Sequence, residues 1–175
     1  ADFIHAWATF EEPLLEVRYE DRYLCSPLSL HLVERVLDGL TRFPGGIAAE
    51  TEVEVRTGDM HRSTRACTRV EHNFPDQGGR DGIARALFAG AEGLRASFVA
   101  VAKQNMAHRR TLLLRWPSGG RSIHLDEGLG FFRPVRRIDH DGFARTEAQL
   151  EALRGLGVPL RLPRGGSVAY CSAED

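Results

Sequence analysis

The order of apolar and polar positions divides the first two-thirds of the chain into alternating strand and helix signals. "PLLEVRYED" (13–21) reads as a strand that ends in acidic residues. "CSPLSLHLVERVLDGL" then predicts a helix over 27–40. Ser26 is its candidate N-cap, Pro27 sits at the favoured first position, and Leu28, Leu32, Val33, Val36, Leu37 and Leu40 form an apolar stripe. "RFPGG" stops it. "TEVEVRTGD" (51–59) alternates as a half-buried strand does and closes in a Gly-Asp turn. Residues 60–79 are polar and end in "PDQGG", the composition of a surface loop. "RDGIARALFAGAEGLRA" (80–96) places Ile83, Leu87, Phe88 and Ala91 on one helical face. "SFVAVAKQ" follows as a short apolar strand, expected to be buried on both sides.

Strand, helix, strand, helix, strand is the alternation of an α/β sheet. "HRRTLLLRW" and "RSIHLDEG", joined by "PSGG", predict an antiparallel hairpin added to that sheet. Further on, "TEAQLEALRGLG" (146–157) reads as a helix capped by Thr146, and "VPLRLPRGGSVAYC" as a short edge strand. No repeat, low-complexity tract or interdomain linker interrupts the pattern. The expectation is one α/β domain, a mixed sheet flanked by helices, over residues 1–175.

Composition adds limits. The 175 residues are 42% hydrophobic and 27% charged, as in a globular domain with an ordinary core. A formal charge of −1 gives no overall push toward nucleic acid or membrane, so any such binding must come from a local patch. Lys103 is the only lysine, the other basic residues being arginine. Cys25, Cys67 and Cys171 are odd in number and far apart, which argues against a disulfide framework and for a reducing, cytoplasmic setting. No apolar run approaches the roughly 20 residues of a membrane-spanning helix. The missing initiator methionine leaves two readings open: a processed chain, or a domain of a longer protein.

The chemistry concentrates at the entry to the hairpin. His108 and Arg110 are two residues apart, so on a strand they share a face. A guanidinium fork beside an imidazole fits a phosphate group, with His108 as donor or nucleophile. A solvated strand end is the alternative. "RIDHDG" holds Asp139, His140 and Asp141, all competent metal ligands, but three in a row rarely converge on one ion, and Asp-Gly is a turn signal. His61 and His72 are equally weak candidates. No metal and no cofactor is expected. Gly128-Leu129-Gly130 lacks the strand-before, helix-after context of a nucleotide loop and reads as a turn.

Four of these segments, in order, resemble the phospholipase-D-like domain found at the C-terminus of MIT-domain proteins, in a bacterial form. They are "EVRYEDRYLCSPLSLHLVERVL", "EVEVRTGD", "GIARALFAGAEGLRASFVAVAKQNMAHRRTLLLRW" and "RSIHLDEGLGFF", together spanning about residues 14–133. The resemblance implies a phospholipase-D-like fold, often dimeric, that binds phosphate-bearing ligands such as acidic phospholipid, and so a domain able to sit peripherally at a membrane. Its superfamily uses a His-x-Lys-x4-Asp motif. His108 and Arg110 match the first two positions with Arg in place of Lys, and Arg115 falls where the Asp should be. Ser122 and Glu127 match the polar residue and carboxylate that complete some nucleases of the superfamily, although strand alternation puts Glu127 on the other face from Ser122.

Three readings follow. The first is a non-catalytic domain recognising phosphate-bearing anionic ligands, phospholipid headgroup or nucleic-acid backbone, inside a larger protein or beside an ATPase. The second is a homodimeric phosphodiesterase or nuclease with two His108 residues face to face. The third is an assembly module that has lost its ligand site. The lost Asp and the Lys-to-Arg change favour the first.

Overall fold

The structure, a computed structural model, describes residues 11–42, 44–60, 74, 76–89, 96–125, 129, 133–134, 160–161 and 169–174. Strands β1 (Leu14–Asp21), β2 (Ile47–Gly58) and β3 (Ala96–Val101) are parallel. Helix α1 (Pro27–Leu40) links β1 to β2, and α2 (Gln77–Ala89) lies between β2 and β3. Strands β4 (Arg110–Trp116) and β5 (Gly119–Leu125) form the predicted hairpin, placed antiparallel on the other side of β1. Strand β8 (Ala169–Glu174) closes the order β3-β2-β1-β4-β5-β8 of an open six-stranded mixed sheet. Strands β6 (Arg133–Pro134) and β7 (Leu160–Arg161) pair separately. The α/β class with a mixed sheet holds.

Two successive parallel steps in one direction, each through a right-handed crossover, put both helices on one face of the sheet. That face is the core. Val17 and Tyr19 of β1, Val53 and Val55 of β2, Leu112, Leu114 and Trp116 of β4, and Ile123 of β5 pack there against α1 and α2. In α1 the fully buried row is Leu30, Val33, Leu37 and Leu40. Each such side chain contributes about 1.5–3 kcal/mol relative to exposure. Leu28 and Leu32, expected in the stripe, are only half-buried, because the row turned to the sheet passes through Leu30. Helix α1 starts as expected: Ser26 accepts a hydrogen bond from the Ser29 amide at 3.1 Å, the Ser29 hydroxyl accepts one from the Ser26 amide, and Pro27 needs no partner.

The opposite face is charged. Glu16, Arg18 and Glu20 alternate with the core residues of β1, and Glu54, Arg56 and Arg115 stand beside them. Arg18 bridges Glu16 (2.8 Å) and Glu54 (3.2 Å); Arg56 bridges Glu54 (3.1 Å) and Glu20 (3.4 Å); Arg115 reaches Glu16 at 3.5 Å. Such pairs are worth about 0–1 kcal/mol each, so they neutralise this face more than they stabilise it.

Three expectations are corrected. β3 is not buried on both sides. It pairs with β2 alone and forms an edge of the sheet, with Ser97 exposed on the charged side. Its apolar run reflects packing on one face, where Phe98 stacks on Phe88 of α2 with ring centroids 6.0 Å apart. Helix α2 begins three residues before the expected start at Arg80, because Asp76 caps it: its side chain accepts the Gly79 amide at 2.8 Å. In the stretch assigned to a polar loop, Phe74 is a core residue whose amide donates to the Cys25 carbonyl at 2.8 Å. The expected helix over 146–157 lies outside the described residues.

Arg80 is the least expected core residue. It has no exposed surface, and its guanidinium lies 5.7 Å from the Phe98 ring centroid. Its Nη1 donates to the Gly58 carbonyl at 2.7 Å, and its Nε pairs with Asp81 at 2.8 Å. Removing the partner would leave a buried charge uncompensated. Asp81→Ala should therefore lower the unfolding free energy by about 3 kcal/mol, far more than the few tenths gained in helix propensity. Urea denaturation of the two proteins measures this, and a loss below about 1 kcal/mol would show that the pair is not what holds Arg80 inside.

Candidate functional site

In open α/β sheets, ligands gather outside the carboxyl ends of the parallel strands. Here β1 runs out into Arg22 and Tyr23, β2 into Asp59, and β3 into the one-turn 3-10 helix Lys103–Asn105. Because β4 is antiparallel to β1, its first residue, Arg110, starts at the same edge. Topology alone thus brings three stretches distant in sequence, 22–23, 59 and 103–110, to one place.

Tyr23 is the centre of the cluster. Tyr23 is 37% exposed, one of few large apolar residues so placed among the described residues, and three cations surround the ring. The Arg110 guanidinium lies 5.1 Å from the centroid, that of Arg22 5.8 Å, and the Lys103 ammonium 5.8 Å. These distances fall within the range of cation–π attraction. Gly58 allows the close approach: a Cβ there would come within 2.7 Å of Lys103 Cγ and 2.8 Å of the Arg22 carbonyl oxygen.

Two residues before Tyr23 lies Asp21, with no exposed surface. Its Oδ1 accepts the Tyr23 amide at 2.8 Å and stands 3.8 Å from Arg110 Nε. Its Oδ2 accepts the Tyr19 hydroxyl at 3.2 Å, and the Leu129 amide donates to that hydroxyl at 3.3 Å. Burial pushes the Asp21 carboxyl above the ordinary carboxylate range, opposed by the Tyr23 amide and by the Arg110 charge. Burial also drives the Tyr19 phenol well up, with the Asp21 charge adding to the shift.

The expected site residues separate. His108 lies just before β4 and is exposed, and its Nε2 accepts from Arg22 Nη1 at 2.9 Å. Arg110 sits on the core side of the sheet, facing Tyr23 and Asp21. Both therefore belong to the Tyr23 turn, reached through different neighbours. Ser122 does not join them. It pairs across the hairpin with Leu113, on the face opposite Arg110, as His124 does with Thr111. Glu127 lies outside the described residues, as do His61, His72, Asp139, His140 and Asp141. Arg22, Tyr23 and Lys103 carried no weight in the sequence reading, although the strand-end rule would have singled out each as the first polar or aromatic group past a parallel strand.

An open mixed sheet with both helices on one face and a basic, aromatic strand-end cluster defines a small α/β module. Residues 4–170 match the family described as DEAD/DEAH box helicase YjiV, C-terminal domain, and the chain belongs to that family. No curated protein matches the chain.

The match corrects the resemblance to a phospholipase-D-like domain of MIT proteins. It takes in nearly the whole chain, including most of the C-terminal segment that the resemblance did not reach. Where they fall on described residues, the four motifs behind that resemblance are strands and helices of a βαβαβ sheet with an added hairpin, an order that carries no family signature of its own. The readings built on it lose their basis as well: the His108–Arg110 phosphate grip and the phospholipase-D-type phosphodiesterase.

The raised Asp21 pKa carries a sign. The folded state holds a proton that the unfolded chain has released, so stability falls as pH rises between the two pKa values. The contribution is fully present below about pH 4, the ordinary aspartate value, and is lost as pH climbs through the folded pKa. Asp21→Asn keeps an acceptor for the Tyr23 amide and removes the titration. The difference in unfolding free energy between wild type and variant should therefore change with pH in that window, shifting toward the variant as pH rises. Unfolding at a series of pH values checks it; a pH-independent difference would mean that Asp21 titrates normally.

Proposed function

We propose that this chain is a non-catalytic accessory domain, joined in a larger polypeptide to a helicase motor and adding to that motor's hold on its nucleic-acid substrate. Membership of the helicase C-terminal family is the observation that carries the reading. The sequence agrees with it on one chemical point. The phosphate loop of a helicase ATPase places a lysine directly after a glycine. Lys103, the only lysine in this sequence, follows Ala102, so the sequence contains no such Gly-Lys step, and in the proposed polypeptide that loop falls to the motor.

The experiment is removal of this domain from the full-length polypeptide. A second contact tethered to the motor raises apparent substrate affinity through effective concentration, by about 10²-fold or more. Deletion should weaken the substrate concentration dependence of unwinding by that order. The ATPase rate at saturating nucleic acid should stay near the full-length value. Loss of ATPase activity together with unwinding would assign the domain a part in the motor itself; unchanged unwinding would remove it from substrate handling.

A further inference from the structure

Resting on that reading, we infer that Tyr23, with Arg22, Lys103 and Arg110, is a platform for single-stranded nucleic acid, on which an unpaired base takes the place of a cation over the ring while the cations turn to the strand's phosphates. Binding of unpaired strands combines aromatic faces with a positive groove, and is tolerant of sequence because every base has a π-face. This edge supplies both. An exposed aromatic ring stands among three cations that come from three separate segments. Among the described residues, two carboxylates stand close to these three cations. Asp21 is wholly buried, 3.8 Å from Arg110 Nε, and Asp59 Oδ1 accepts the Lys103 backbone amide at 3.0 Å, so the cations outnumber the acids.

The geometry also argues for an unpaired strand over a duplex. Stacking on Tyr23 requires a base edge-free on at least one face, which a paired and stacked helix does not offer. Among the described residues, these three cations gather around one ring and are not set out in a row along a helix or strand, as contacts to a duplex backbone would require. The backbone beneath the platform is tied down: the Tyr23 amide donates to Asp21 and the Lys103 amide to Asp59.

The test is fluorescence anisotropy of a fluorescein-labelled oligothymidine titrated with this chain at several salt concentrations. Neutralising three charges on a single strand gives a log–log salt slope of about −2. Tyr23→Ala should weaken binding about tenfold, and Tyr23→Phe, which keeps the ring, should bind within about twofold of wild type. Lys103→Gln should reduce the salt slope by about 0.7 and leave the ring in place. Equal binding by wild type and Tyr23→Ala would overturn the platform. So would an unlabelled duplex that competes as well as the single strand, or no binding by wild type. Failure here leaves the accessory-domain reading to the deletion experiment, and an ineffective deletion would overturn that reading while these titrations stand.

Discussion

A carboxylate with no exposed surface holds the strand-end edge together. Asp21 ends the central strand, where desolvating a charge costs several kcal/mol unless it is compensated. Its compensation comes from four directions: the Tyr23 amide of the following turn, the Tyr19 hydroxyl of its own strand, the Leu129 amide and the Arg110 charge. Each partner is fixed in return. The turn is pinned so that Tyr23 points outward, Tyr19 is locked in the core, and Arg110 is drawn across the end of the sheet toward the ring. One desolvated group thus couples the middle of the core to the surface chemistry.

The core could not do this alone. Apolar packing of α1 and α2 against Val17, Val53, Leu112 and Leu114 fixes which face of the sheet is inside, but it is non-directional. Where the strands end, the directional contacts take over. Arg80 reaches from α2 to the Gly58 carbonyl, and Gln77 Oε1 accepts the Met60 amide at 3.1 Å. The close packing at Gly58 then brings the Arg22 and Lys103 segments together. The edge is therefore set by hydrogen bonds among residues that periodicity treats as punctuation.

This explains what the sequence made legible. Period-2 alternation in 14–21 and 51–58, the Ser26-Pro27 start of α1 and the turn residues between β4 and β5 are local signals, and they led to the right elements and the right α/β class. Other features depend on partners distant in sequence. That β3 is an edge strand follows from which strands pair with it, and an apolar run is silent on that point. That Arg80 is buried follows from a carbonyl 22 positions away. The site suffered most. Strand alternation coupled His108 to Arg110, yet His108 lies ahead of β4 and meets the cluster through Arg22, and nothing local links Arg22-Tyr23 to Lys103. The phospholipase-D-like resemblance then supplied a phosphate motif where the chain has a tyrosine among cations. An ordered set of common motifs carries fold class further than it carries family.

The same arrangement accounts for a basic site on a chain with a formal charge of −1. At physiological ionic strength, charges are screened beyond about 8 Å, so what an approaching strand meets is the local distribution, not the net charge. On the open face Glu16, Glu20 and Glu54 alternate with Arg18, Arg56 and Arg115 closely enough to cancel pair by pair. Around Tyr23 the acid is placed below the surface and the bases on it. Burying Asp21 costs free energy that Arg110 partly offsets, and Arg22 and Lys103 add further positive charge at the same edge. For the proposed accessory domain, such segregation leaves a weakly charged body with one edge at which cations outnumber acids among the described residues.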